Sequence, residues 1–324
     1  MTRTLPTRFQ IPQCHEFGGE PGPRLMVTGA IHGNERCGTE AITRVMAELD
    51  SGTLSLRSGL VTFVPIANPL AYANSTRNGD RNLNRHLFPT STPQDYEDHL
   101  ANWLCPLLAQ HDVLLDLHSF NAPGEPFVMV GPRNNDGPRE PFQHAQQERA
   151  LARRLGVHRF VDGWLRTYGD GVLRRVPDPQ QQQTELRFGV GTTEYMRSTG
   201  GYALTLECGQ HDDPQASEVA YRAIRNTLAF LGLIDAPSPP AIAPDQMQAL
   251  SMVAVIDKIW ADDNFTRPWS SFDAVAKGEQ IGVHADGTPV LAPFDGRILF
   301  PDSAAVAGGE WYYLARENGD FCLP

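Results

Sequence analysis

A chain of 324 residues with 41% hydrophobic content is long enough to bury a sizeable core and suits one large domain with a smaller one beside it. Its formal charge of −11 argues against nucleic acid as a partner, because polyanion binding relies on a basic surface. No apolar run approaches the roughly 18 residues of a membrane span, and Met1-Thr2-Arg3-Thr4-Leu5-Pro6 lacks an apolar secretion core; a cytoplasmic protein without a membrane partner is expected. Cys14, Cys37, Cys105, Cys208 and Cys322 are scattered without a CxxC pair, which points to reduced thiols and not to a disulfide frame or a cysteine zinc site. Of the 27 basic residues only Lys258 and Lys277 are lysine, so a cation in a site here is a guanidinium, which grips carboxylates in a two-point fork. A small anionic substrate stays open on this composition, and so does a homo-oligomer.

The opening residues to about Gly22 carry Pro6, Pro12, Pro21 and Gly18-Gly19 and read as irregular structure with an edge strand. Arg24 to Ile31 is the first core strand and runs into Gly29-Ala30-Ile31-His32-Gly33-Asn34-Glu35; Glu35 to Leu49 follows as a helix with Cys37, Ala41, Ile42, Val45, Met46 and Leu49 on one face. Leu60 to Ala67 is a second buried strand. Asn74 to Pro89 is too polar for core and reads as a long loop holding Arg77, Arg81, Asn82, Asn84 and Arg85; loops of that length are usually functional or disordered. Pro93 to Gln110 reads as a helix, Asp112 to His118 and Phe127 to Val130 as strands, and Pro141 to Leu155 as a helix. Val161 to Phe188, with Pro177-Asp178-Pro179 and four glutamines from Gln180, reads as an insertion-like mobile loop. A short helix over Gly191 to Ser198, a strand over Tyr202 to Glu207 and an amphipathic helix over Pro214 to Leu233 complete the large unit.

Four prolines between Asp235 and Pro244 mark a boundary that neither a helix nor a central strand can cross. Beyond it, short β-like runs at Met252 to Ile256, Thr288 to Leu291, Gly296 to Phe300 and Trp311 to Ala315 alternate with Asp-Gly and Gly-Gly turns. The division expected is 1–235 for a catalytic domain and 236–324 for a small β-rich domain, which reads either as a cover over the mouth of the site or as an oligomerisation or structural module.

Three apolar strands end on metal-competent or acid-base residues, His32, His118 and Glu207, and ligands in open α/β sheets gather at the carboxyl ends of strands. His32 and Glu35 on one Gly-rich turn, with the distant His118, supply two imidazoles and a carboxylate, the ligand set of a catalytic zinc with one position open. Asp116 shares a face with His118 on an extended strand; it reads either as an orienting carboxylate behind the imidazole or as a solvated or capping Asp. Glu207 ends an apolar strand where burial would raise its pKa toward the range a general base needs. Cys208 has no Cys-His-Asn signature beside it and is not taken as a nucleophile. A zinc hydrolase is the reading of these residues.

The same residues, with the loop from Arg77 through Asn82-Leu83-Asn84-Arg85, Asp116-Leu117-His118 and Leu206-Glu207, resemble the succinylglutamate desuccinylase/aspartoacylase branch of the zinc carboxypeptidase superfamily over roughly residues 24 to 235. The resemblance implies an α/β, mixed-sheet, zinc carboxypeptidase-like (phosphorylase/hydrolase-like) catalytic domain that carries the small β domain at its C-terminal side. It implies one zinc per chain on His32, Glu35 and His118, Glu207 as general base, and Arg77 polarising the scissile carbonyl. Asn84 and Arg85 would hold the substrate's carboxylate. The expected activity is zinc-dependent hydrolysis of the linear amide of a small anionic N-acyl amino acid; the alternatives are a zinc carboxypeptidase acting on short peptides or cell-wall fragments, and a metal-binding non-enzyme. One departure stands out: Asn82 occupies the position where the family usually carries Asp. Ala292-Pro293-Phe294-Asp295-Gly296 resembles a biotinyl/lipoyl-type barrel-sandwich module only weakly, and with no lysine at a hairpin tip no carrier function is expected.

Overall fold

The apolar runs lie side by side in one sheet. The computed structural model describes residues 10–321, so Cys322 and the opening Met1 to Pro6 fall outside the described residues. The strands are β1 (His15–Gly18), β2 (Glu20–Thr28), β3 (Ser58–Val64), β4 (Val113–Phe120), β5 (Phe127–Met129), β6 (Arg159–Asp162), β7 (Tyr202–Gln210), β8 (Gln248–Asp257), β9 (Asn264–Phe265), β10 (Ala274–Val275), β11 (Gln280–Val283), β12 (Pro289–Leu291), β13 (Gly296–Leu299) and β14 (Glu310–Glu317). The helices are α1 (Cys37–Asp50), α2 (Pro69–Asn74), α3 (Tyr96–Leu108), α4 (Ala145–Ala152), α5 (Trp164–Arg175), α6 (Pro179–Phe188), α7 (Thr192–Ser198) and α8 (Ala216–Phe230).

Eleven of these strands form a mixed sheet in the order β1-β3-β2-β4-β7-β5-β6-β8-β14-β13-β10. β3, β2, β4 and β7 run parallel, which brings the ends of β2, β4 and β7 to one edge. Every residue of β4 is buried, as a strand covered on both faces requires. Alternate side chains divide between two cores. Leu25, Val27, Leu115 and Leu204 pack with Ile42 and Val45 of α1 and Ile224 and Leu228 of α8, whereas Met26, Leu114 and Ala203 pack with Leu100 and Leu104 of α3 and Met196 of α7. The α/β mixed-sheet expectation is met.

Two readings change. The stretch expected to be a mobile loop contains α5 and α6. Asp178 caps α6 by accepting from the Gln180 N–H at 3.0 Å, with Pro179 at the first helical position, so the Pro-Asp-Pro run starts a helix. The glutamines sit on a helix without a buried residue, which is why no periodicity betrays it. α5 is tied to β8 by Thr167 Oγ1 donating to the Met252 carbonyl at 2.9 Å and by an Arg174 guanidinium N–H donating to the Val255 carbonyl at 3.1 Å. The second change concerns the strands after Pro244. β8 pairs in parallel with β6, and β14, β13 and β10 follow, so the central sheet continues through them; only β12, β11 and β9 form a separate three-stranded sheet.

The turn after β2 is held as closely as the strands. Ala30 is fully buried at φ 49°, a strained conformation for a residue with a Cβ, and is fixed by the Ala67 N–H on the Gly29 carbonyl and the Asn68 N–H on the Ala30 carbonyl. At Gly33 an added Cβ would lie 1.9 Å from the Ala71 carbonyl carbon in α2, a backbone that cannot swing aside as a flexible side chain could. Gly33→Ala is therefore expected to lose at least about 1–3 kcal/mol of stability. The control is Gly319→Ala, where no atom stands within 4 Å. Urea unfolding of both variants checks this; equal stabilities would show that α2 yields.

Candidate metal centre and active site

His32 follows β2, Glu35 precedes α1, and His118 lies in β4, so strand alignment alone puts the three side chains around one point. His32 Nδ1 is 2.8 Å from Glu35 Oε1, and His118 Nδ1 is 2.8 Å from Glu35 Oε2. Their ligand atoms all lie within 4.8 Å of one another, and all three residues are buried. The rear nitrogens are also held: His32 Nε2 is 2.9 Å from Asn82 Oδ1, and His118 Nε2 is 3.0 Å from Asp116 Oδ2. Asn82 Oδ1 also accepts the Asn84 N–H, and a carboxylate only accepts, so each imidazole donates from Nε2 and turns the Nδ1 lone pair to the shared point. Two lone pairs and a carboxylate aimed at one point fit a divalent ion of the zinc type.

Asp116 takes the orienting role, not the solvated one. It is fully buried and also accepts from Thr28 Oγ1 at 2.6 Å and Thr192 Oγ1 at 2.5 Å, which ties β2, β4 and α7 together behind the metal point. The two imidazoles have unlike supports. Burial and then the Arg77 charge push His32 down to about 4, with only a neutral amide behind it. Burial acts on His118 in the same direction, but the charges of Asp116 and Glu35 outweigh it and hold His118 well above the usual range.

Glu207 stands opposite His118 in the β4–β7 register, and its Oε2 is buried with no hydrogen-bond partner among the described residues. Burial above all pushes it up to about 8; the charges of Glu35 and Asp116 add to this, while His118 and Arg77 oppose it. Arg77 reaches the cluster from the loop, with Nη1 3.2 Å from Glu35 Oε1. Asn84 Oδ1 accepts the Thr192 N–H at 2.9 Å, and an added Cβ at Gly191 would sit 2.1 Å from that oxygen. Arg85 donates to the Asn84 carbonyl at 2.9 Å, stacks 4.5 Å from the Trp164 ring centroid and approaches Glu310 to 3.8 Å. All seven residues singled out in the sequence, His32, Glu35, Arg77, Asn84, Arg85, His118 and Glu207, line one cavity of about 710 Å³.

Arg81, in the same loop, does not join them: it is bound by Asp95 at 2.7 Å and Asp98 at 2.9 Å at the start of α3. The loop itself is latched. Glu97, fully buried in α3, accepts from Asn68 Nδ2 at 2.9 Å, Gly79 N at 3.0 Å, and Asp80 and Arg81 N at 3.1 Å each.

Several cavity residues escape a reading of the sequence. His211 lies against Ser119 Oγ at 2.7 Å and Asn34 Nδ2 at 3.3 Å; it follows β7 directly, so the strand-end rule that found Glu207 could have found it. Phe300, Asp302, Glu310 and Tyr313 come from beyond Pro244 and form part of the wall. Tyr313 Oη is buried beside the Glu310 carboxylate, and burial first, with the charge and hydrogen bond of Glu310 adding to it, holds the phenol well above its usual range. Nothing in their local sequence marks them.

Residues 21–130 match the succinylglutamate desuccinylase/aspartoacylase catalytic-domain model. That stretch is similar to the catalytic domain of this family. An N-acyl-aromatic-L-amino acid amidohydrolase (carboxylate-forming) of Mus musculus is 38% identical over 115 residues, covering 32% of this chain and 35% of its own length. Its Rattus norvegicus counterpart is 37% identical over the same shares. The match therefore spans about a third of those relatives. Among solved structures, a succinylglutamate desuccinylase/aspartoacylase from Rhodobacter sphaeroides superposes with a TM-score of 0.68 at 18% identity, over 94% of this chain and 89% of that one. The product-bound ectoine utilization protein EutE (DoeB) from Ruegeria pomeroyi gives 0.69 at 18% identity, over 94% and 88%. At such identities the likeness is one of fold. It covers 94% of this chain, where the family match stops at residue 130.

A carboxyl whose pKa is raised by folding binds protons more tightly folded than unfolded, so its stabilisation is complete below the unfolded value of 4.5 and is lost as pH rises through about 8. In the metal-free protein, Glu207→Gln is expected to raise stability at pH 8.5 by on the order of 3 kcal/mol relative to its effect at pH 4. Glu140, pushed up to about 7 mainly by burial, titrates in the same window and keeps part of the slope in the variant. Thermal melts of both proteins across pH 4 to 9 test this; a pH-independent difference would contradict the burial of an uncompensated Glu207 carboxylate.

Proposed function

We propose that this protein is a zinc-dependent amidohydrolase that cleaves the amide bond of an N-acyl amino acid, with one zinc per chain. The observation that carries the reading is the convergence of two Nδ1 lone pairs and the Glu35 carboxylate beside the unpartnered, buried carboxyl of Glu207 on the adjacent strand. A zinc ion held by His32, Glu35 and His118 would supply Lewis acidity toward a water and the scissile carbonyl. Glu207 takes the proton of the attacking water and returns it to the leaving amine, a transfer suited to a carboxyl whose pKa burial has raised. Arg77 faces the negative charge that develops on the carbonyl oxygen. Asn84 and Arg85 hold the free carboxylate of the amino acid, and the Tyr313 hydroxyl stands on the same ring-lined wall as Arg85.

The rings of Phe120, Trp164, Phe300 and Tyr313 around the cavity, together with the aromatic substrates named for the mammalian relatives, favour an N-acyl amino acid with an apolar or aromatic side chain. The cavity of about 710 Å³ is roomy for such a molecule and sustains the second reading, a carboxypeptidase acting on short peptides or cell-wall fragments. In sequence terms, 1–235 would be the amidohydrolase domain and 236–324 the small β-rich part that closes its cavity. Cys14, Cys37, Cys105 and Cys208 are unpaired, which supports a reducing, cytoplasmic setting. No helix among the described residues is long and apolar enough to cross a membrane; neither membrane nor nucleic acid is a proposed partner, and a homo-oligomer is compatible with the reading.

Metal content and turnover should separate. His118→Ala is expected to lose stoichiometric zinc, measured by metal analysis after dialysis, whereas Glu207→Gln should retain zinc and lose at least about 100-fold in kcat. The substrate panel is acetyl-, succinyl- and formyl-amino acids alongside dipeptides. Near-normal turnover by Glu207→Gln would remove it as the base, and cleavage of dipeptides alone would establish the carboxypeptidase reading.

A further inference from the structure

Arg85 is the guanidinium to which the proposed reading gives the substrate's carboxylate, and the structure shows what else it touches. The three other arginines that line the cavity are engaged elsewhere, Arg77 with Glu35 at 3.2 Å. Arg197 is bound by Glu148, Glu140 and the Ala203 carbonyl, and Arg175 pairs with Asp257. Arg85 is half-buried and donates one bond to the Asn84 carbonyl; its face lies on Trp164, and the side chain of Glu310 stands 3.8 Å from Nη2. Glu310 opens β14, a strand that enters the sheet from far along the chain, and the same strand supplies Tyr313 three residues later. Trp164 and Phe300 meet the Tyr313 ring with centroids at 5.6 and 6.4 Å, so the wall around this ion pair is aromatic.

A carboxylate that stands beside the substrate-binding arginine has two effects on what binds there. It leaves Arg85 with donors enough for one more carboxylate, and it presents a like charge to any second one. In a half-buried, ring-lined setting that repulsion is weakly screened.

We propose that Glu310 is a specificity-determining residue: placed against Arg85 on a wall of Trp164 and Tyr313, it rejects N-acyl amino acids whose side chain carries a second carboxylate and leaves the site to neutral, apolar and aromatic ones. This rests on the amidohydrolase reading above and deepens it. Glu310 makes no bond to the reacting atoms; it acts through charge.

The test uses the zinc-loaded full chain and three substrates: N-acetyl-L-phenylalanine, N-acetyl-L-glutamine and N-acetyl-L-glutamate. Glutamine and glutamate are nearly isosteric, so the ratio of their kcat/KM values reads charge alone. The wild-type protein is expected to favour the glutamine compound by at least about tenfold, with the ratio falling as salt is added. Glu310→Gln should collapse that ratio toward one, chiefly through KM for the glutamate compound. A wild-type ratio near one overturns the proposal and needs no variant, so a Glu310→Gln protein that fails to fold does not shield it. A folded variant that slows all three substrates equally, with the ratio intact, also overturns it, because that is what a purely structural Glu310 would do. If no acyl amino acid is hydrolysed at all, the amidohydrolase reading fails and the proposal fails with it.

Discussion

The fully buried carboxylate of Glu97 fixes the geometry on which the site depends. A charge inside a protein is tolerated only when its oxygens are saturated with donors, and Glu97 meets that requirement with the Asn68 amide and three successive backbone N–H groups, Gly79 to Arg81. Those N–H groups belong to the loop that carries Arg77, Asn82, Asn84 and Arg85. A polar segment with no apolar face thereby gains a defined path, and Arg81, locked onto Asp95 and Asp98, anchors its second half. Asp116 does the corresponding work for the regular elements, joining β2, β4 and α7 behind His118. Both are acids that hold structure by accepting. Glu207 is the contrast, a buried acid with an oxygen left unpaired among the described residues, and it faces the cavity.

The support behind the metal point is uneven. His118 is backed by a carboxylate and His32 by an amide, although both acceptors enforce the same tautomer. Asn82 therefore keeps the orientation that an aspartate would give while withholding its charge. That charge difference falls on the His32 side, facing Arg77, and it leaves the guanidinium with Glu35 as its nearest carboxylate.

What could be read from the chain follows from the range of the forces involved. Apolar runs such as Val113 to Leu117 and the helical spacing of α1 and α8 announce themselves locally, and a parallel sheet gathers the ends of its strands, so His32, Glu35, His118 and Glu207 were visible as a group. The resemblance added Arg77, Asn84 and Arg85, which no periodicity marks. α5 and α6 were missed because α6 buries nothing and its start signal, Asp178 before Pro179, resembles a turn. The path of the sheet past the proline-rich stretch was invisible for another reason: β6 and β8 pair across nearly ninety positions, as Arg159 opposite Gln248 shows, and nothing in either segment names its partner. Glu310 and Tyr313 were hidden by the same non-locality.

The place of β14 in the sheet has a consequence for how the protein comes into being. It inserts between β8 and β13, so residues 310–317 must be present before the sheet is continuous and before the cavity has its last wall. On the ribosome, a nascent chain that has already emerged past β8 displays an open strand edge while some fifty further residues are added, a state prone to pairing with other chains. The three residues placed to hold a metal, His32, Glu35 and His118, all within the first 118 positions, are complete long before then. Synthesis thus separates two events: the His-Glu-His cluster is made early, whereas the cavity beside it is walled only once the late strand has closed the gap.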